Sequence, residues 1–164
     1  DARVPPAGPV AGEKSPTTAL ALSLGGTLAS FALVAAAESR DNDDLAAAGG
    51  IGIWIAPSFG HWYAGKLWTD GLTWRFAGAG AVLVGAVILL SECFNEDDCN
   101  EGPGFAFVYG GMAAFAVGGV YDIVTAPGSA RAHNKRLRAR AAGRWALTPV
   151  VTSDRAGLVL GGSF

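Results

Sequence analysis

Long apolar runs dominate the pattern of hydrophobic and polar positions along this chain. Four of them, residues 19–37, 45–64, 72–90 and 105–126, approach the length of about 20 residues that a helix needs to cross a bilayer core. A soluble bundle would alternate polar and apolar residues at the helical period, whereas residues 72–90 carry a single charge, Arg75. The pattern therefore predicts an all-α membrane protein with four transmembrane helices.

The polar segments divide the chain further. Residues 1–16 contain four prolines and little to bury, which predicts a flexible N-terminal leader before a four-helix transmembrane bundle at 17–127. Pro57 should break or kink the second helix, because it removes one backbone hydrogen bond. A basic juxtamembrane helix is expected at 128–144, and the β-prone residues of 145–164 predict a short C-terminal β-hairpin.

Charge alternates between the connections and gives an orientation. Only 16% of the 164 residues are charged, against about 25% in soluble domains. Residues 38–44 and 92–101 are acidic, while Lys66, Arg75 and the run at 131–144 are basic. Because basic residues favour the cytoplasmic face, we expect a bacterial inner-membrane protein with both termini cytoplasmic. Removal of a signal peptide before Asp1 would invert this arrangement.

The two cysteines and two histidines bear on metal and disulfide chemistry. Cys93 and Cys99 share the second acidic segment, where a loop disulfide is sterically plausible and fits an oxidising compartment. His61 and His133 are expected on the opposite face, so the sequence predicts neither a metal site nor a bound cofactor. His61 alone could titrate or ligate haem, but hydrogen bonding to a carbonyl or a lipid headgroup is the commoner role.

One motif is dense in special residues: Pro57-Ser-Phe-Gly-His-Trp-Tyr-Ala-Gly-Lys66. It resembles small bacterial membrane proteins of unassigned function with a P-G-x-G-[HQ]-x-Y-x-G-[KR] motif, distantly like the two-helix transmembrane domain family. The stretch from Tyr121 to Asn134 resembles the second half of that pattern, although Ser58 stands where glycine is usual. The resemblance implies a membrane location and a helical hairpin, and no enzymatic activity. The residues it singles out are Pro57, Gly60, His61, Tyr63, Gly65, Lys66, Asp122 and Asn134.

Small residues four apart predict where helices pack closely, since lipid provides no hydrophobic force for helix association. In the third and fourth runs these are Ala77, Ala81, Gly85, Gly110, Ala114 and Gly118. Asp122 ends the second stripe. Its carboxylate should face protein and pair with Arg75, His61 or a backbone donor.

No catalytic constellation is evident, so we expect no enzyme but a structural or accessory subunit of a larger membrane assembly. The alternative is a small channel or transporter component that uses Asp122 and His61.

The basic run after the last helix favours contact with the lipid bilayer over nucleic acid. The tail should contact other subunits or copies of the chain, because an isolated hairpin is marginal in water. An outer-membrane location is a further alternative, since Phe164 resembles the terminal aromatic of β-barrel proteins. The expected contact residues are Trp145, Leu147, Val151, Leu158, Leu160 and Phe164.

Overall fold

The computed structural model describes residues 10–93, 102–142, 146–152 and 155–161, and the side chains of residues 10–91 and 102–141. The helical part contains α1, Pro16–Arg40, and α2, Asp43–Ile55. A 3-10 turn, Ala56–Ser58, leads directly into the short helix α3, Phe59–Tyr63. Two long helices follow, α4 at Asp70–Cys93 and α5 at Gly102–Ala142.

Within the described residues, three helices, α1, α4 and α5, are long and apolar enough to cross a membrane, which makes this a multi-pass membrane protein. The predicted count of four transmembrane helices is wrong. The second apolar run is no continuous helix, because α2 ends at Ile55 and the 3-10 turn contains Pro57. Proline cannot donate the hydrogen bond that would continue the α-helix, so the break predicted at Pro57 is confirmed.

The predicted fold class is also corrected at its C-terminal end. Among the residues whose side chains are described there is no strand, so the described helical body is all-α. Beyond it, only backbone is described: β1, Ala146–Thr152, pairs antiparallel with β2, Arg155–Gly161. Four of the residues expected to contact a partner lie in these strands, where only the backbone is described: Leu147, Val151, Leu158 and Leu160. Trp145, Phe164 and Cys99 lie outside the described residues, as does the side chain of Cys93.

Helix α5 differs from its predicted boundaries. It runs for 41 residues without a break, with Pro127 inside it, and spans about 60 Å at the usual rise per residue. The predicted division at residues 127 and 128 is therefore absent, and the basic segment is a direct extension of the last transmembrane helix. Packing of α1 and α3 against α5 holds the helix together around its proline.

Helices α1 and α2 form an antiparallel hairpin with a tight connection. Asp41 adopts a left-handed conformation with φ of 48°, and the Asn42 side chain caps α2 by accepting a hydrogen bond from the Leu45 N–H. Gly49 faces Val34, and Gly52 faces Ser30, so closely that a Cβ would lie 2.6 Å and 2.2 Å from their side chains. Gly60 likewise faces Ala19, so residues 43–63 run along most of α1.

Helices α4 and α5 pack through glycines that are seven residues apart on each helix. Gly71 faces Gly118, Gly78 faces Gly111, and Gly85 faces Gly104, with each added Cβ 2.2 to 2.6 Å from the opposite carbonyl oxygen, apart from 3.2 Å at Gly104. The predicted stripe is correct at Gly85 and Gly118 and wrong at two positions. Gly110 has nothing within 4 Å of an added Cβ, and Ala77 is exposed. Ala81 and Ala114 are half-buried.

The two helix pairs meet mainly at one end of the molecule, which we call the basic end. There α1, the 3-10 turn and α3 contact α5, and the Trp54 ring packs 5.3 Å from Phe76 and 5.0 Å from Phe115. Lys14, Lys66 and the basic part of α5 lie at this end. The opposite, acidic end holds the α1–α2 connection with Glu38, Asp41, Asp43 and Asp44.

Candidate functional site: a buried polar network around Asp122

The site centres on an ion pair between two spanning helices. Arg75 on α4 and Asp122 on α5 lie 2.5 Å apart from Nη2 to Oδ2, and both side chains are 0% exposed. Both residues lie close to the basic end, one turn into α4 and four residues beyond Gly118. The Gly71–Gly118 contact brings the two backbones together at this level, which lets the short aspartate reach the guanidinium.

Three further groups hold the carboxylate. Ser58 and Thr69 donate hydroxyl hydrogen bonds to Oδ2 at 2.7 and 2.6 Å, and the Gly71 N–H donates to Oδ1 at 3.2 Å. Thr69 precedes α4, and its Oγ1 also accepts from the Leu72 N–H, so one residue caps α4 and binds Asp122. Such charge-assisted hydrogen bonds satisfy a carboxylate that burial alone would destabilise.

The guanidinium of Arg75 is also satisfied inside the protein. Its Nη1 donates to the Trp54 carbonyl oxygen, Nη2 donates to Ser58 Oγ at 2.6 Å, and Nε donates to the Gly71 carbonyl at 3.3 Å. The Trp54 carbonyl is available because it lies just before the 3-10 turn, where the α-helical ladder of α2 ends. The Pro57 break thus supplies an acceptor to the buried cation.

His61 lies beside the ion pair and is 3% exposed. Its Nε2 lies 3.0 Å from the Asp122 carbonyl oxygen and 3.1 Å from Thr125 Oγ1, and its Nδ1 lies 2.7 Å from Ser129 Oγ. Because a carbonyl can only accept, Nε2 carries hydrogen, and in the neutral ring Nδ1 accepts from the Ser129 hydroxyl. The expected bond to a carbonyl is confirmed, but the ring is buried between α3 and α5.

The glycines of the motif are required by backbone geometry. A Cβ on Gly60 would lie 2.2 Å from the Ala19 carbonyl oxygen, and the Gly60 N–H donates to Ser23 Oγ at 2.9 Å. Gly65 has φ of 83° and ends α3: its N–H bonds the Trp62 carbonyl, and the Lys66 N–H bonds the His61 carbonyl. This is the Schellman arrangement, in which the left-handed position favours glycine.

Asn134 and Tyr63 hold the segment that precedes α1. The Asn134 amide accepts from the Lys14 N–H at 2.7 Å and donates to the Lys14 carbonyl at 2.8 Å. The Tyr63 hydroxyl accepts from the Ser15 N–H at 3.2 Å, and Lys14 Nζ lies 4.7 Å from the Tyr63 ring centre. We call residues 12–15 the strap. The leader was predicted to be flexible as a whole, and the strap corrects that prediction for these residues.

An exposed ion pair completes the strap. Arg138 Nε donates to Glu13 Oε1 at 2.5 Å. This hydrogen bond is the largest cause that lowers the pKa of Glu13 below its ordinary value, and the positive charge of Arg138 adds to it. The strap therefore joins the start of α1 to the basic extension of α5, and one of its contacts, the bond between Glu13 and Arg138, depends on the Glu13 charge.

The structure brings the two halves of the sequence motif together. His61 and Asp122 are in contact, Tyr63 and Asn134 hold the same strap, and Pro57 belongs to the turn that presents Ser58. Sequence reasoning missed four polar members of the network: Ser58, Thr69, Thr125 and Ser129. Ser58 carried a signal, since it is the position at which this chain departs from the glycine of the motif.

The chemistry available to this network is limited by its closure. The Asp122 carboxylate accepts hydrogen bonds from four donors, and each of the three nitrogens of the Arg75 guanidinium donates to an acceptor. Both side chains are completely buried. Both imidazole nitrogens of His61 are occupied by protein groups. Within the described part of the chain, no three His, Cys, Asp or Glu residues are grouped so that they could hold a metal ion. The arrangement fixes helices to one another.

Comparisons with family models, curated proteins and solved structures find no match to this chain.

Proposed function

We propose that this chain is a structural or accessory subunit of a larger bacterial membrane protein assembly, with no catalysis of its own. The observation that carries the proposal is the closed network around Asp122. A transport pathway needs ionisable groups that face a hydrated cavity. Here the intramembrane carboxylate is 0% exposed and is bound by Arg75, Ser58, Thr69 and Gly71, which favours a structural role.

An apolar groove between the helix pairs supports a role in assembly. The groove has a volume of about 560 Å³ and is lined by residues of α1, α2, α4 and α5. It begins where the Trp54, Phe76 and Phe115 rings close the contact between the pairs. Its other main lining residues are Phe31, Val82, Leu83, Met112 and Ala116. An apolar groove of this kind suits a helix of another subunit, which packs in lipid through shape complementarity.

The basic end fits a cytoplasmic location. Lys14, Lys66 and the cations of α5 lie together there, and the acidic residues of the α1–α2 connection lie at the other end. Since Lys and Arg near the ends of spanning helices favour the cytoplasmic side, we propose that the basic end faces the cytoplasm of a bacterial inner membrane.

Ion flux across vesicles tests the proposal against the channel alternative. The purified full chain is reconstituted into vesicles of bacterial polar lipids, and proton and potassium flux are followed with internal dyes. The proposal predicts flux equal to that of protein-free vesicles. Flux well above that level, reduced by His61→Gln in a variant with unchanged helix content, would overturn it in favour of a channel or transporter component.

A further inference from the structure

A second concave surface lies at the basic end, between the end of α3 and the extension of α5. This pocket has a volume of about 270 Å³ and is lined by Ala64, Gly65, Lys66, Ser129, Ala132, His133 and Arg136. Its cationic and titratable side chains come from two chain segments almost 70 residues apart, brought together when His61 packs against α5. The pocket is distinct from the ion pair, which is completely buried.

The depth of the pocket relative to the apolar layer indicates which ligand it meets. Val124 is the last strongly exposed large apolar residue of α5, at 68%. Ser129 to Arg136 begin about 8 Å and end about 18 Å beyond it along the helix. Trp68 and Trp74, 61% and 54% exposed on the adjacent loop and helix start, suit the headgroup level of a membrane. Long Lys and Arg side chains reach back toward that level.

The charge around the pocket is positive. Lys66 Nζ is 3.3 Å from Asp70 Oδ2 in an exposed pair, which a stronger anion can displace because such pairs contribute little to stability. The other nearby carboxylate, Glu13, is bound to Arg138 on the neighbouring face of α5. Within the described residues, Arg136 and His133 make no hydrogen bond or ion pair. Two cations and an imidazole therefore line one space, and no carboxylate is among its lining residues.

We propose that this pocket binds the phosphate-bearing headgroup of an anionic phospholipid through Lys66, Arg136 and His133. The phosphate oxygens accept from the ammonium and the guanidinium, and the imidazole contributes a third donor. The inference does not depend on the proposed function, since a subunit and a transporter could both carry such a site.

A titration with lipid and a matched pair of variants tests the site. The full chain in neutral detergent is titrated with short-chain phosphatidylglycerol, phosphatidylcholine or inorganic phosphate, and bound molecules are counted by native mass spectrometry. We expect phosphatidylglycerol to bind, and K66Q/R136Q to weaken its binding about tenfold or more, since these two cations donate directly to the phosphate oxygens. The control R131Q/K135Q removes the same two charge types from a different face of α5 and should weaken binding about threefold at most.

Three results would overturn the proposal. Equal losses in the two double variants would show general attraction to a basic surface. If phosphatidylcholine binds as tightly as phosphatidylglycerol, the pocket does not recognise the anionic headgroup. If inorganic phosphate displaces phosphatidylglycerol when the two are present at equal concentrations, the pocket is a site for soluble phosphate. Arg136→Gln alone, at an exposed position, serves the same comparison if K66Q/R136Q loses helix content.

Discussion

Arg75 and Asp122 form an ion pair that joins α4 to α5 across 2.5 Å, with no exposed surface on either side chain. The pair lies next to the closest approach of the two backbones, at Gly71 and Gly118. Its remaining hydrogen bonds come from the α2–α3 break and from the start of α4, so three chain segments meet at one carboxylate. A buried charge pair of this kind fixes which segments associate, whereas apolar contacts alone are permissive in lipid.

Removal of both charges should destabilise the protein by less than the sum of the two single removals. Asp122→Asn or Arg75→Gln leaves a buried partner without its counter-charge, which typically costs about 3–5 kcal/mol. R75M/D122L removes both charges and should destabilise the protein by clearly less than the sum of R75M and D122L. Unfolding in mixed micelles, arranged as a double-mutant cycle, measures the coupling. Additive effects would show that the pair does not act as a unit.

Glycine substitutions should distinguish Gly78, which lies in the α4–α5 contact, from Gly110, which was predicted there but lies outside it. A Cβ on Gly78 would lie 2.4 Å from the Gly111 carbonyl oxygen, whereas one on Gly110 would have nothing within 4 Å. Gly78→Val should therefore destabilise the α4–α5 pair by about 1–3 kcal/mol through overpacking. Gly110→Val is the matched control on a helix surface and should be close to neutral. Equal destabilisation by both would contradict the packing register.

The strap should loosen in acid. The pKa of Glu13 is lowered in the folded protein by its bond to Arg138, so its contribution is complete above the ordinary Glu pKa of 4.5. It is lost as the pH falls through the lowered folded value. The Lys14 amide, bonded to Asn134, should lose exchange protection over that range. Exchange followed from pH 6 to pH 2.5, corrected for intrinsic rates, measures this, and Glu13→Gln should remove the pH dependence. An unchanged profile in Glu13→Gln would assign the effect to another group.

The orientation can be read with single cysteines in a background that carries C93S and C99S. Ser39→Cys lies at the acidic end and Ala132→Cys at the basic end, and both positions are exposed. A membrane-impermeant thiol reagent applied to spheroplasts with an intact inner membrane should label Ser39→Cys and leave Ala132→Cys unlabelled. Labelling of Ala132→Cys alone would show the inverted arrangement.

The partial success of sequence reasoning has physical causes. The apolar runs, the break at Pro57 and the partners open to Asp122 follow from local rules on hydrophobic length, proline and buried charge. The predicted stripes of small residues four apart include only Gly85 and Gly118 of the α4–α5 contact, because Gly71, Gly78 and Gly85 repeat every seven residues, as do Gly104, Gly111 and Gly118. That repeat is visible in the sequence.

Other features could not be obtained from local patterns. The bond between Asn134 and Lys14 joins residues 120 positions apart, and the roles of Thr69 and Ser129 depend on where α3 and α4 meet α5. The continuity of α5 through Pro127 depends on its packing against α1 and α3, which outweighs the local preference of proline to end a helix.

Native purification of the full chain, with mass spectrometry of the chains that accompany it, tests the central claim most directly. The comparison uses Ala116→Trp, which fills the groove, and Ala113→Trp, an exposed position of the same helix that does not line it. The account predicts that the wild type and Ala113→Trp retain a stoichiometric partner chain or second copy, while Ala116→Trp loses it. A wild-type chain that is recovered alone from mild extraction with its lipids, or a groove variant that keeps its partner, would contradict the account.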